Sequence, residues 1–378
     1  MNKPWWKKID YSLLFMMLVL IVFGLVMIHS STLQEPESNL LQKQLLFFGI
    51  GLILLFVFAR LDYGLLAGFE RYFYIINLVL LIAILFVGEQ VKGAQRWISL
   101  GPFSFQPSEF TKIVMILSLS HHLAKEDALK KINLIKTFVY LTIPMLLIML
   151  QPDLSTALVL MAIFFAILFV RGINPLVLVG TALAGIATSP FILKDYQKQR
   201  LLIFLDPYTD STGAGWNIIQ SIIGIGSGKL WGKGLFSGTQ IQLKFIPEHS
   251  TDFIFTVLGE ELGFIGTASL VVIFFFLMWK TIKIASNAKD SQGTLIAVGI
   301  AAMFFFQIFI NIGMTIGIMP VTGIPLPFLS YGGSSLITNM IAIGLLLNIH
   351  FQKESFFKSG NEVVNKIEKY HLSYKQIG

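Results

Sequence analysis

Apolar residues run through this chain in long blocks, separated by short connectors rich in charge and turn residues. A helix crossing a bilayer core of about 30 Å needs roughly 20 apolar residues, with a range of about 17–25. Ten blocks read as such helices: 11–30, 44–60, 72–88, 107–124, 136–151, 153–170, 173–193, 253–279, 292–316 and 332–351. The pattern predicts an all-α integral membrane protein of about ten transmembrane helices, built as a single polytopic domain over 1–378. The first block is too long for a signal peptide, lacks a small-residue cleavage site and is followed by further spans.

One interval breaks the rhythm. Residues 194–252, between the seventh and eighth blocks, form a long loop rich in glycine and polar residues. A segment of this length with little regular structure is more often a functional loop than a plain connector. Ten crossings place both termini on the same side. Lys and Arg are roughly twice as frequent on the side of the amino terminus as on the other, in "MNKPWWKK", "KEDALKK", "KTIKIASNAKD" and the tail 352–378. Both termini are therefore expected in the cytoplasm, with the long loop outside.

Composition agrees: 55% of the 378 residues are hydrophobic and 13% charged, against about 25% charged in soluble domains. The net charge of +7 sits mainly in cytoplasmic connectors and the tail, which points to a membrane surface and not to nucleic acid. With no cysteine, disulfides, thiolate catalysis and Cys-based metal sites are excluded. The six histidines contain no HExxH pattern, which argues against a zinc peptidase. "GSGK" in the long loop lacks the Walker spacing and faces away from cytoplasmic nucleotide. No internal repeat of the inverted-transporter kind is evident.

Charges within or beside the apolar blocks carry the chemistry. Ionisable groups at mid-membrane cost about 2.5–3.5 kcal/mol each on insertion scales, so they face a cavity or a partner. In "FQPSEFTKIVMIL", Pro107 suits a first helical turn and Glu109 and Lys112 follow three apart on one face. They form either a self-satisfied ion pair or a pair with one member turned to a ligand. Asp153 in "LQPDLSTALVL" stands where a helix begins, as an N-cap, a cavity carboxylate, or both. In "PEHSTDFIFTVLGEELG", Ser250, Thr251 or Asp252 marks a helix start, and Asp252 reads as a solvated cap or as a base at the mouth of a cleft. Glu260 lies about two turns deeper on nearly the same face, whereas Glu261 is rotated away.

Arg96 and Trp97 place a cation beside an interfacial aromatic in an external connector. In "GIPLPFLSYGGSSL", Ser330 is a candidate cap, and Gly332 and Gly333 either offer bare helix N–H groups to an anion or permit tight helix packing. Together these residues predict a polar, mixed-charge cavity open to the outside, suited to a lipid-linked anionic headgroup.

The strings "GAQRWISLGPFSFQPSEFTK", "QPDLSTALV", "GAGWNIIQSIIGIGSGKLWGKGLFSGTQIQLKFIPEHSTDFIFTVLGEELG" and "NIGMTIGIMPVTGIPLPFLSYGGSSL" resemble those of the SEDS family (shape, elongation, division and sporulation) over nearly the whole chain. "GTQIQLKFIPE" and "VTGIPLPFLSYGG" are more similar to its RodA-like elongation branch than to its FtsW-like division branch. Ser155 stands where the family more often has Gly, and the histidine of "PEHSTDF" is shifted by one position, so His249 is given no role.

The resemblance implies a peptidoglycan glycosyltransferase that uses lipid II on the outer face of the bacterial cytoplasmic membrane. The family's essential carboxylate falls on Asp252, its cavity residues on Glu109, Lys112 and Asp153, and its loop tryptophan on Trp97. The implied partners are a class B penicillin-binding protein, the cell elongation complex and membrane lipid. Leaving pyrophosphate needs cations, for which Lys112, Arg96 or a divalent ion (Mg²⁺ or Mn²⁺) are candidates; no metal ligands are assigned. A lipid II flippase and a non-catalytic scaffold are the competing readings.

Overall fold

The computed structural model describes residues 10–33, 39–91, 94–100, 103–125, 130–192, 194–210, 213–243 and 245–353. The expected tail therefore lies almost wholly outside the described residues. Each of the ten apolar blocks is occupied by a helix: α1 (Tyr11–Thr32), α2 (Leu40–Arg60), α4 (Glu70–Val87), α5 (Pro107–Leu123), α6 (Lys131–Leu150), α7 (Leu154–Val170), α8 (Pro175–Ile192), α12 (Ile254–Ser286), α13 (Ser291–Thr315) and α14 (Gly333–Lys353). Short α3 (Tyr63–Gly68) precedes α4, and α9 (Asp195–Leu205), α10 (Ala214–Ser227) and α11 (Thr239–Gln242) lie in the long loop. Among the described residues, seven helices are long and apolar enough to cross a membrane: α1, α2, α4, α6, α12, α13 and α14. Helices α5 and α7 have 17 residues each. In α5 the polar residues Glu109, Lys112, Ser118, Ser120, His121 and His122 dilute the apolar run.

Burial sorts the helices by place. Nearly nine-tenths of α14 is buried, against about a fifth of α2 and α6, so α14 is the central column and the latter two face outward. Helix α13 packs on α12, α7 and α5, while α1 lies along α12. The apolar core is continuous through these helices. In lipid the outward faces lose nothing by being apolar, so what separates core from surface is close packing and polar pairing.

Two expectations are corrected. The connector 88–106 is not a plain loop but a three-stranded antiparallel meander, β1 (Glu89–Val91), β2 (Ala94–Leu100) and β3 (Phe103–Phe105), with Ile98 opposite Phe105 and Leu100 opposite Phe103. The long loop also has more regular structure than expected, because α10 is amphipathic and packs against α12 and α13. A small cluster of Ile203, Ile218, Ile246, Phe253, Met314 and Val321 fastens this loop to the carboxy-terminal end of α13.

Helix α12 is broken at Gly263, whose backbone (φ 62°, ψ −159°) is open only to glycine. The break frees backbone groups on both sides, and the loop takes them up. Lys233 N–H donates to Glu260 O at 3.0 Å and Gly234 N–H to Glu261 O at 3.0 Å. Phe264 N–H and Ile265 N–H donate in return to Lys229 O and Leu230 O, at 2.8 and 3.1 Å. The glycine-rich "GSGKLWGKG" stretch is thus stitched to a kinked helix. It is built for backbone contact and not for nucleotide.

Candidate functional site

The amino-terminal ends of α5, α7, α12 and α14 and the carboxy-terminal end of α13 converge, and buried polar groups tie them together. Asp153 is the hub. Its carboxylate caps α7 by accepting from Thr156 N–H at 3.2 Å and the Thr156 hydroxyl at 2.9 Å. It also accepts from the Ser108 hydroxyl at 3.1 Å and the Gln106 amide at 3.2 Å, both at the start of α5. Asp153, 1% exposed, thus caps α7 and at the same time ties it to the start of α5. Gln106 N–H donates to Ser334 Oγ at 3.0 Å, adding α14 to the junction.

Arg96 reaches this hub from β2. Its Nε donates to Gln151 O at 3.1 Å, one Nη donates to Pro152 O, and the other lies 3.8 Å from Asp153. Most of its donor fork holds the turn before α7, so Arg96 is a brace of the site more than a free cation. Trp97, beside it on β2 and opposite Glu89, is half-buried.

One turn below Ser108, Lys112 Nζ lies 2.7 Å from Glu109 Oε2, with side chains 1% and 6% exposed. Removing water from both charges is costly, and their mutual attraction repays this only with close geometry such as this. The three-residue spacing on α5 dictates the pairing. The packing of α5 against α4, α7 and α13 dictates the burial.

Asp252 does not cap α12. The helix begins at Ile254 after Phe253, and Asp252 sits half-buried in the preceding turn. Three contacts fix its backbone neighbourhood. Asn311 Nδ2 donates to Asp252 O at 2.8 Å and to Ile324 O at 2.7 Å. The Ser330 hydroxyl donates to Thr251 O at 2.6 Å and accepts from Leu326 N–H at 2.8 Å. Tyr331 N–H donates to Ser250 O at 2.9 Å. Gly323 (φ 76°) passes so close that a methyl group there would lie 3.2 Å from Asp252 Oδ2. The same 322–324 loop meets α7, because the Ser155 hydroxyl donates to Thr322 O. Asp252 is thereby joined to the Asp153 hub through one loop, although the two stand 99 positions apart in the chain.

The remaining predicted residues divide. Ser330 is a clamp between two loops and not a cap of α14, which starts at Gly333. Gly332 N–H is taken by Gln44 Oε1 at 3.2 Å, and a Cβ on Gly333 would lie 2.4 Å from the Phe47 ring. The two glycines therefore serve close packing of α2 on α14. Glu260, fully buried, is held by Lys233 Nζ at 2.6 Å, Thr239 N–H and hydroxyl at 2.9 Å each, and Gln240 N–H at 3.1 Å. Glu261 accepts from the Ser30 hydroxyl of α1. These two carboxylates anchor the long loop and α1 to α12.

Residues that the sequence left unmarked include Gln106, Ser108, Asn311 and Gly323. Only Asn311 carries a signal in advance, as one of two amides, with Gln307, in the apolar middle of α13.

The result is a polytopic helical membrane protein with a buried, mixed-charge polar junction at one end of its bundle. The chain belongs to the FtsW/RodA/SpoVE family, described as cell cycle protein, which matches residues 11–355. It is 38% identical over 368 residues to peptidoglycan glycosyltransferase MrdB of Escherichia coli K12, covering 95% of this chain and 98% of that one. A solved structure described as "Structural coordination of polymerization and crosslinking by a peptidoglycan synthase complex" contains a chain 32% identical to it, with a TM-score of 0.78 and 91% and 98% covered. Thermus thermophilus rod shape determining protein RodA is 29% identical, with a TM-score of 0.72 and 93% and 99% covered.

Proposed function

We propose that this chain is a peptidoglycan glycosyltransferase that polymerises lipid II during cell elongation. It would work at the outer face of the bacterial cytoplasmic membrane, with both termini inside and ten helices crossing. The observation that carries this reading is the placement of Asp252: half-buried, held through its own carbonyl by Asn311, and linked by the 322–324 loop to a buried junction of carboxylates and cations. The similarity to a named glycosyltransferase over 95% of the chain supports it.

In this mechanism Asp252 takes the proton from the GlcNAc C4 hydroxyl of one lipid II. That oxygen bonds to the anomeric carbon of MurNAc at the lipid-linked end of the growing chain. The bond to the pyrophosphate oxygen breaks with inversion, and undecaprenyl pyrophosphate leaves. A positioned base contributes typically 10²–10⁴-fold. Glu109, Lys112 and Asp153 shape the polar cavity for the headgroup, and Lys112 is the cation nearest in kind to what the leaving charge needs. Trp97 and Arg96 border the mouth.

Among the described residues no three carboxylates or histidines group to hold a metal ion. A Mg²⁺ or Mn²⁺ ion, if one takes part, would supply charge neutralisation for the pyrophosphate.

A class B penicillin-binding protein is the proposed partner, in keeping with the synthase complex to which the fold is similar. The test is glycan polymerisation from labelled lipid II in detergent, with wild type and Asp252→Ala, each with and without that partner. Long strands from wild type and none from the variant are expected. Equal product from both sinks the base assignment, and none from either with an active partner favours a flippase or a scaffold.

A further inference from the structure

Helix α10 and the residues after it run along α12 and not away from it. Both helices point the same way: Ser221 Oγ lies 2.5 Å from Thr256 Oγ1, Ile225 faces Gly259, and the Leu230 backbone meets Gly263. The chain turns at 228–234 and comes back through α11. There Thr239 N–H and Gln240 N–H reach Glu260, and higher up Trp216 Nε1 donates to Phe245 O at 2.8 Å. The result is a hairpin laid against the Asp252 half of α12.

Its depth follows from α1 and α12 together. At one end of the pair Asp10 meets Lys280, and at the other the Ser30 hydroxyl donates to Glu261. From Asp10 to Ser30 the helix rises about 30 Å at 1.5 Å per residue, the thickness of the hydrocarbon core. Trp279, beside Lys280, is exposed, as suits the headgroup level. Phe264 and Ile265 lie inside the Glu261 level, and their N–H groups donate to Lys229 O and Leu230 O. The turn therefore sits about 5 Å within the core, and any helix tilt sets it deeper.

Polarity in the hairpin is inverted relative to a loop in water. Gln220 and Ser221 are buried, the Ser221 hydroxyl donating to Thr315 O at 2.7 Å, whereas Ile222 and Ile223 are 46% and 47% exposed. At the tip Leu230 and Trp231 are 60% and 80% exposed. Contiguous apolar exposure of this kind marks a contact surface. This one continues into the exposed Phe264, Ile265, Val271, Val272 and Phe275 of α12.

The backbone is built for the same surroundings. Non-helical backbone at membrane depth is tolerated only where protein takes up its polar groups. Besides the four bonds to the break in α12, Lys229 N–H donates to Gly226 O at 3.3 Å and Gly232 N–H to Gly228 O at 2.7 Å. Gly228 and Gly232 leave no room for a Cβ against the carbonyls of Gly259 and Glu261, which is what lets the turn lie so close. Lys233 is neutralised by Glu260, and the stem of Lys229 is long enough to carry its ammonium up to the headgroups.

We infer that residues 214–236 form a re-entrant hairpin sunk in the leaflet on the Asp252 side, with Ile222, Ile223, Leu230 and Trp231 packed among lipid acyl chains. The bilayer itself is the partner of this part of the loop. Through Lys233 and Glu260 it holds α12 at a fixed depth about two turns from Asp252.

The chain has no cysteine, so single-cysteine variants of the full-length protein can carry one nitroxide each. Trp231→Cys and Leu230→Cys report on the tip, the second guarding against a disturbance caused by loss of the tryptophan. Tyr208→Cys, before α10, is the water-side reference and Val271→Cys the reference within the core. In phosphatidylglycerol nanodiscs, power-saturation EPR compares relaxation by oxygen, which concentrates in hydrocarbon, with relaxation by a water-soluble nickel chelate. Nanodiscs open both faces to the reagents, so the reading does not depend on which face is outside. Oxygen should be the stronger relaxant at 230 and 231, as at 271, and nickel the stronger at 208. Nickel relaxation at 230 and 231 equal to that at 208 overturns the hairpin. Labels open to nickel until a class B penicillin-binding protein is added also overturn it, in favour of a protein docking surface.

Discussion

The side-chain amide of Asn311 donates to the main-chain carbonyl of Asp252 at 2.8 Å, and the same nitrogen donates to Ile324 O at 2.7 Å. One fully buried amide in the middle of an apolar bundle thus sets the position of the proposed base and of the loop behind it. Substitution by Leu fills the space but leaves two carbonyls without a donor. A 1 Å displacement of a reacting group costs on the order of 10²-fold in rate. Asn311→Leu should therefore lower the polymerisation rate by about that factor while lipid II binding changes little. A variant with wild-type turnover would show that Asp252 is held by other means.

The Glu109–Lys112 pair separates structure from chemistry. Removing one member leaves a buried, uncompensated charge, expected to cost about 3–5 kcal/mol. Glu109→Leu and Lys112→Met should each lower the melting temperature in detergent. The double variant should recover most of that loss, since an apolar pair of similar volume suits the site. It should still make no glycan if Lys112 serves the leaving group. Recovery of both stability and activity would make the pair purely structural.

Glu260 is a structural carboxylate, and its loss should be read in the loop. Glu260→Ala takes the acceptor from Thr239 N–H and Gln240 N–H and leaves Lys233 Nζ only Thr239 Oγ1, at about 0.5–1.5 kcal/mol for each hydrogen bond lost. Limited proteolysis should then cut the 229–243 stretch faster than in wild type. Polymerisation at low temperature should survive better than in Asp252→Ala. Identical cleavage patterns would mean that the backbone stitching alone holds the loop.

The break in α12 should resist repair. At Gly263 an added methyl would lie 2.3 Å from Gly232 N and 2.8 Å from Leu230 O. Its backbone conformation also costs a non-glycine residue about 1–3 kcal/mol. Gly263→Ala should reduce the yield of folded protein, as monitored by size exclusion. Normal yield and stability would show that the helix straightens without penalty.

Much of the architecture was legible in the chain because apolar length is a local quantity. Each of the ten blocks became a helix, and Asp153 capped α7 as its position before "LSTALVL" indicated. Glu109 and Lys112 were readable as a pair because three residues of helix bring them onto one face. The meander 89–105 was not legible, since its strands are three to seven residues long. Nor was the break at Gly263, since nothing in "LGEELGFIG" tells which of its three glycines takes a positive φ.

By itself the sequence determined the helices, the membrane class, the order of the polar motifs and, through those motifs, the family. Only the tertiary structure decided what each polar group touches. Glu260 became an anchor, and Ser330 a clamp on Thr251. Arg96 became a brace, and Asn311 entered the site unannounced. The physical reason is one of range. Helix formation and membrane insertion depend on residues within a few turns, whereas a buried polar group must find its partner wherever packing delivers one. Here those partners lie as far apart in the chain as Ser30 and Glu261 or Gln106 and Ser334.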